Sequence, residues 1–125
     1  MDFRKLIERD MDALVADLQG CIRIPSLYQA DDSGYPYGKP VHECLEYMLS
    51  KAEALGFATG NLDNHVGWCE YGRGEEMVAV LGHLDVVPEG DGWTVPPTAA
   101  WCKMAASTAA APWTTKAPPC ARCMA

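Results

Sequence analysis

MVAVLGHLDVVPEGDGW, at residues 77–93, is the stretch around which this chain is organised. It opens with the apolar run 77–81, which predicts a short strand buried on both faces of an α/β sheet. Gly82 then gives the backbone freedom to turn, and His83 and Asp85 follow at the carboxyl end of the predicted strand. Ligands of open α/β sheets bind at this end of the strands, so we expect the functional site here.

The side chains of His83 and Asp85 are expected on the same side of the backbone, because one residue separates them in an extended segment. A carboxylate in that position can accept the proton of one ring nitrogen, which fixes the tautomer and makes the other nitrogen a better metal ligand. The alternative is an exposed histidine at a strand end, followed by an aspartate that starts a turn. A single H-x-D motif favours this simpler alternative, so the residues that follow the motif must distinguish the two interpretations.

That context reads GHLDVVPEGDGW, at residues 82–93. The string resembles the first metal motif of the M20 metallopeptidases, and in particular the bacterial dipeptidases of the PepV type. The order helix, helix, strand, strand, strand with the site also resembles the opening of the M20 catalytic domain, so the resemblance covers residues 1–97. It implies an α/β fold class: the N-terminal part of a zinc-peptidase catalytic domain, with a mixed sheet flanked by helices, incomplete in this chain.

The resemblance also implies a chemistry and a substrate. The intact site would hold two zinc ions about 3.5–4 Å apart, and a metal-activated water would hydrolyse the peptide bond of a dipeptide or short peptide. His83 matches a metal ligand of that site, and Asp85 matches the catalytic carboxylate that orients this histidine. The bridging aspartate, the glutamate general base and the remaining ligands match no residue of this chain. Because a catalytic zinc normally has three protein ligands, we expect the chain alone to be inactive.

Composition argues against several classes of partner. The chain has 125 residues and a net charge of −7, which disfavours nucleic acid and anionic membrane surfaces. No apolar run approaches the length of a membrane span, and the acidic, amphipathic N-terminus MDFRKLIERD is unlike a signal peptide. We expect a soluble cytoplasmic protein whose 6 cysteines are reduced and form no disulfide framework.

Two amphipathic helices are predicted before the central stretch. Asp2 can cap the first, whose apolar residues recur at spacings of three and four, and Gly20 is predicted to close it. Its apolar face is expected to pack on a core. A long irregular loop at residues 28–40, rich in Gly, Pro, Asp and Tyr, precedes a second helix predicted over residues 41–55.

Two strands follow the second helix, over residues 57–61 and 66–71, with a polar turn between them. His65 lies in that turn without a neighbouring carboxylate, which makes it a poor ligand candidate. The remaining polar residues with possible chemistry are interpreted as structural or solvated, and these are Asp31, Asp32, His42 and Cys44. No partner of His42 or Cys44 lies at a metal-ligand spacing.

Residues 98–125 differ in composition from the rest of the chain. All 17 acidic residues lie in residues 1–97, whereas residues 98–125 contain none and include 10 alanines. We interpret residues 98–125 as an aberrant, disordered tail produced by a one-base deletion near codon 98. A DNA sequence that encodes this tail also encodes GGVVQDGRIYGRGTMDDKGPALRALYG when it is read two bases later. This peptide contains a string that resembles the second metal motif of the M20 family.

The genetic code forces part of that hidden motif. Trp113 and Thr114 require TGG-ACN, and in the shifted frame these bases contain GAC, an aspartate codon. This aspartate is the first of D-D-K-G-P, which in the family bridges the two metal ions. The missing ligand is therefore expected to be encoded but out of frame.

Two other functions remain open. Cys120 and Cys123 form a C-x-x-C pair, so the chain could be a small non-enzymatic metal- or protein-binding module, although one such pair supplies only two ligands. A flexible Ala/Pro linker would also explain the tail composition. The other function is an M20 relative that cleaves a different amide, such as a deacylase or desuccinylase. The loop at residues 28–40 and the string VVPEGDGWTVPP favour the dipeptidase.

Overall fold

The computed structural model describes residues 2–100, which form two helices and a β-hairpin followed by a long segment without strands. The elements are α1 (Phe3–Ile22), α2 (Lys39–Ala54), β1 (Ala58–Leu62) and β2 (Val66–Glu70), and a short 3-10 helix follows at Pro97–Ala99. The predicted mixed α/β content is confirmed. Among the described residues, no helix is both long and apolar enough to cross a membrane. From position 101 onward, the predicted tail lies outside the residues that the structure describes.

Helix α1 begins where its capping residue predicts and continues past its predicted end. The Asp2 carboxylate accepts a hydrogen bond from the Arg4 backbone N–H at 3.2 Å, which caps the helix. Gly20 does not end the helix, because α1 runs on to Ile22. A Cβ at Gly20 would collide with the Tyr47 side chain of α2, so this glycine leaves room for the tyrosine hydroxyl against α1.

The apolar face of α1 is mostly exposed, which corrects the expectation that it packs on a core. The helix has no buried residue, and Phe3, Ile7 and Leu14 are all more than half exposed. The two helices meet near the C-terminal end of α1. There Tyr47 donates its hydroxyl to the Asp17 carbonyl at 2.9 Å, and Lys51 pairs with the Asp17 carboxylate at 2.7 Å.

The small core lies between α2 and the hairpin. Val41, Cys44 and Leu45 of α2 are buried. β1 and β2 pair antiparallel with Leu62 opposite Val66, and the three-residue turn between them places Asp63 and Asn64 at positive φ. The predicted second helix and hairpin are confirmed, with bounds shifted by one or two residues.

The predicted buried strand at residues 77–81 is wrong for this structure. The segment is not a strand, and Val78, Val80 and Leu81 are 95%, 93% and 97% exposed. A buried strand needs a neighbouring strand and a covering layer on each face. Within residues 2–100 the hairpin strands pair with each other, and nothing pairs with residues 77–81. The apolar run therefore lies in solvent.

The Gly67→Ala variant is expected to separate the hairpin from α2. A Cβ at this position would lie 2.5 Å from Leu45 Cδ1 and 3.2 Å from Leu49 Cδ2, so the leucine side chains, the helix or the strand must shift. Overpacking of this kind costs about 1–3 kcal/mol, which should lower the urea concentration at half-loss of the circular dichroism signal. Gly82→Ala is the control, because its Cβ would meet nothing within 4 Å. Equal effects of the two variants would contradict close packing at Gly67.

Candidate functional site

The candidate site is built on residues 83–86, which lie against the segment that follows α1. The Ser26 hydroxyl donates to the Leu84 carbonyl at 2.6 Å, and the Val86 backbone N–H donates to the Ser26 carbonyl at 3.0 Å. Leu27 and Val86 form an isolated parallel bridge beside these bonds. Ser26 is completely buried. Residues 83–86 are thus held by one buried serine, although the strand predicted to lead into them is absent.

His83 and Asp85 contact each other on the same side of the backbone, as the extended spacing predicts. His83 Nδ1 lies 3.2 Å from Asp85 Oδ1 and 2.9 Å from the Asp85 carbonyl oxygen. Both neighbours are acceptors, so this arrangement favours the proton on Nδ1 and leaves the lone pair of Nε2 to bind an electrophile. The side chains are 69% and 56% exposed, so the pair is accessible to a ligand.

The pair forms part of the wall of a cavity of about 450 Å³. Other lining residues come from three parts of the fold: Tyr37 from the loop, Val41 from α2 and His65 from the hairpin turn. Small-molecule sites typically measure about 300–1,000 Å³ and combine apolar walls with a few polar groups. The volume of the cavity therefore lies within the range of small-molecule sites.

His65 lies in this cavity although its sequence context gave no reason to select it. The turn position is as predicted, and Nδ1 of His65 is 3.0 Å from the Asp63 carbonyl oxygen. The ring meets the Tyr37 ring edge-on, with centroids 5.7 Å apart. Its proximity to the candidate site arises from tertiary packing of the turn against the loop, and no local sequence signal could have revealed it.

His42 is structural, as predicted, and it fixes the loop to the hairpin. Its ring stacks on Tyr35 with centroids 3.8 Å apart, and its Nδ1 lies 3.0 Å from Asn64 Oδ1. Asn64 also lines the cavity. His42 therefore helps to position the cavity wall through Asn64, and we assign it no role as a metal ligand.

Asp31 is a turn carboxylate, as predicted. It accepts hydrogen bonds from the hydroxyl and the backbone N–H of Ser33, and from the Lys39 backbone N–H at the start of α2. These bonds, the Ser33 hydroxyl above all, hold the pKa of Asp31 below its ordinary value of 3.8.

The loop contacts of Asp31 are expected to weaken at low pH. Because the folded-state pKa is lowered, the stabilisation is complete above pH 3.8 and is lost as the pH falls through the lowered value. In a nuclear magnetic resonance titration, the Ser33 amide proton should therefore shift with a midpoint below 3.8. Asp31→Asn should remove this titration. A midpoint above 3.8 would contradict the assignment.

Ser26 is the second residue that sequence reasoning missed. Ser26→Ala removes a buried hydrogen bond to Leu84, a loss that typically costs about 1–3 kcal/mol. Amide hydrogen exchange at Val86 should accelerate by about tenfold or more, because local opening becomes easier. Ser50→Ala is the matched control, since its exposed hydroxyl bonds only within α2. Unchanged exchange at Val86 in Ser26→Ala would contradict this anchoring role.

The residues described here do not complete a metal site. Within residues 2–100 there is no group of three or more His, Cys, Asp or Glu side chains placed to hold an ion. A catalytic zinc normally has three protein ligands. His83 with Asp85 fits one ligand and the acid that orients it, so the pair can contribute to a metal site without forming one by itself.

Comparison with known proteins reveals relatives over most of this chain. It is 38% identical over 102 residues to a Bacillus subtilis protein named "Putative dipeptidase YtjP", a match that covers 80% of this chain and 22% of the relative. It is 36% identical over 99 residues to "Beta-Ala-Xaa dipeptidase" of Lactobacillus delbrueckii subsp. lactis, covering 78% and 21% of the two chains. No family model matches.

A Staphylococcus saprophyticus protein named "Putative dipeptidase SSP1012" is 35% identical over 97 residues, which is 76% of this chain and 21% of the relative. The chain thus spans about one fifth of the length of these curated relatives. All three relatives are named dipeptidases, and these names support a peptidase kind of function.

Proposed function

We propose that residues 1–97 are the N-terminal part of the catalytic domain of a zinc-dependent dipeptidase, a PepV-like member of the M20 metallopeptidases that acts in the cytoplasm. The observation that carries the proposal is the 3.2 Å contact between His83 Nδ1 and Asp85 Oδ1 in the wall of a cavity. The names of the relatives support dipeptides as the substrate class. The intact protein would hydrolyse their peptide bond.

The residues of this chain have two roles in that reaction. His83 would bind a zinc ion through Nε2, while Asp85 holds the proton on Nδ1 and keeps the ring in place. A bound zinc pair supplies a Lewis acid for the carbonyl oxygen and a water that ionises near neutral pH. Ser26 acts on neither substrate nor metal, and it positions the backbone that carries His83.

We also propose that residues 98–125 are read out of frame, so that the bridging aspartate is encoded but not translated. The matches to the relatives span 102, 99 and 97 residues, which is close to the length of residues 1–97. Sequencing the gene across codon 98 tests this point. A wild-type gene without a shifted D-D-K-G-P frame would contradict it.

The experiment that tests the function compares two proteins: the 125-residue chain and the product of the gene with one base restored at codon 98. Each is titrated with zinc by calorimetry and assayed on dipeptides. We expect the restored product to bind zinc and hydrolyse dipeptides, and the 125-residue chain to do neither. Tight stoichiometric zinc binding with turnover by the 125-residue chain would contradict its proposed inactivity. Cleavage of acyl-amino acids but not dipeptides would assign a deacylase instead.

A further inference from the structure

Cys21 of α1 and Cys44 of α2 face each other between the two helices. Their sulfur atoms are 3.8 Å apart, whereas a disulfide measures about 2.05 Å, so the two sulfurs are not bonded to each other in this structure. The neighbouring residues Gly20 and Tyr47 pack so tightly that a Cβ on the glycine would collide with the tyrosine. The 3.8 Å separation of the sulfurs places the Cys21 and Cys44 side chains face to face between the helices, and a crosslink requires the sulfurs to move closer together.

We propose that Cys21 and Cys44 are a modification site at which oxidation crosslinks α1 to α2. The oxidant is a low-molecular-weight disulfide such as oxidised glutathione. Neither the dipeptidase activity nor a bound metal is needed for this reaction. In a reducing compartment both residues remain thiols.

Burial sets the order of the two exchange steps. Cys21 is partly exposed and Cys44 is completely buried, so the Cys21 thiolate attacks the glutathione disulfide first. One glutathione leaves as a thiolate, and Cys21 is left in a mixed disulfide. Cys44 then loses its proton and attacks the Cys21 sulfur, which expels the second glutathione. Two protein thiols and one glutathione disulfide thus become one protein disulfide and two glutathione thiols.

The crosslink would close a loop that contains the support of the candidate site. Residues 22–43 include Ser26, which holds Leu84, and Tyr28 and Tyr37, which line the cavity. Tethering the two ends of this loop reduces the conformations available to the unfolded chain. The oxidised form is therefore expected to hold α1 and the site segment together at denaturant concentrations at which the reduced form has opened.

Tryptic mapping of the oxidised 125-residue chain tests the proposal. Trypsin cuts after Arg9, Arg23 and Lys51 but not between Lys39 and Pro40, so Cys21 and Cys44 fall in separate peptides, residues 10–23 and 24–51. After incubation with oxidised glutathione and blocking of remaining thiols, these two peptides should be recovered joined, and dithiothreitol should separate them. Recovery with Cys21 and Cys44 separately glutathionylated or blocked would overturn the proposal.

Variants distinguish this crosslink from other cysteine chemistry. Cys69→Ser is the matched control, because Cys69 is exposed on β2 and should not affect the joined peptides. Cys21→Ser and Cys44→Ser should each abolish them. Oxidation should raise the urea midpoint of the wild-type chain and of Cys69→Ser but not of Cys21→Ser. Joined peptides that survive in Cys21→Ser, or a wild-type midpoint that does not rise on oxidation, would overturn the proposal.

Discussion

In the frame-restored protein, His83→Ala should abolish zinc-dependent dipeptide hydrolysis, whereas Asp85→Asn should leave a reduced but measurable rate. Removing the acid that orients a metal-bound histidine typically costs about 10–100-fold in metal affinity or activity. Removing the histidine itself deletes a ligand, so its effect should exceed that range. The difference in severity follows from the geometry, since Asp85 touches Nδ1 of the ring and leaves Nε2 for the metal.

Zinc titration alongside the assay separates this role from a structural one. Asp85→Asn should weaken zinc binding and restore part of its activity at higher zinc concentration, which a folding defect would not do. Glu75→Gln is the matched control, because it also neutralises an exposed carboxylate but lies before the central stretch. If His83→Ala retained full activity, or if Glu75→Gln lost as much as Asp85→Asn, His83 and Asp85 would have no place in the metal site.

Local signals predicted the elements whose stability is largely local. The Asp2 cap, the two helices and the hairpin with its polar turn all follow from capping, periodicity and turn chemistry. The contact of His83 with Asp85 was also predictable, because alternation along an extended chain places residues two apart on one side. The roles of both residues in metal binding stay predictions.

Features that depend on residues far apart in the chain could not be predicted from local sequence signals. Gly20 carries the signal of a helix end, yet it serves helix contact, because the Tyr47 side chain of α2 occupies the space beside it. His65 and Ser26 reach the candidate site through packing between segments far apart in the chain. The run at residues 77–81 has the composition of a buried strand, but burial also needs neighbours that residues 2–100 do not supply.

Lysine substitutions in the exposed run at residues 77–81 should have opposite effects in two proteins. They should improve the solubility of the 125-residue chain and prevent folding of the frame-restored protein. In the 125-residue chain, Val78→Lys with Val80→Lys places charges where the side chains already lie in solvent. The effect on stability should stay within about 0.5 kcal/mol per site. Self-association should fall, because an exposed apolar segment of high β-propensity is interrupted. Sedimentation and the soluble fraction measure this.

Charge alone would act in the other direction. The two lysines move the net charge from −7 toward zero, which by itself promotes association. Glu75→Gln with Glu76→Gln changes the charge by the same amount at adjacent positions and keeps the apolar run, so this control should not become more soluble. Improved solubility of the lysine variant therefore reports removal of the apolar surface. Equal behaviour of the two variants would contradict the aggregating role of residues 77–81.

In the frame-restored protein, the same lysine substitutions should prevent folding. If residues 77–81 become the buried strand that their composition predicts, each ammonium group must enter an apolar interior without a partner, at a cost of several kcal/mol. The restored protein should then lose its cooperative thermal transition, whereas the glutamine control should keep it. The 125-residue chain is expected to lose its signal over a broad range in either form, with a midpoint but without a sharp transition. A restored protein that folds normally with both lysines would mean that this run is not the strand around which the domain is organised.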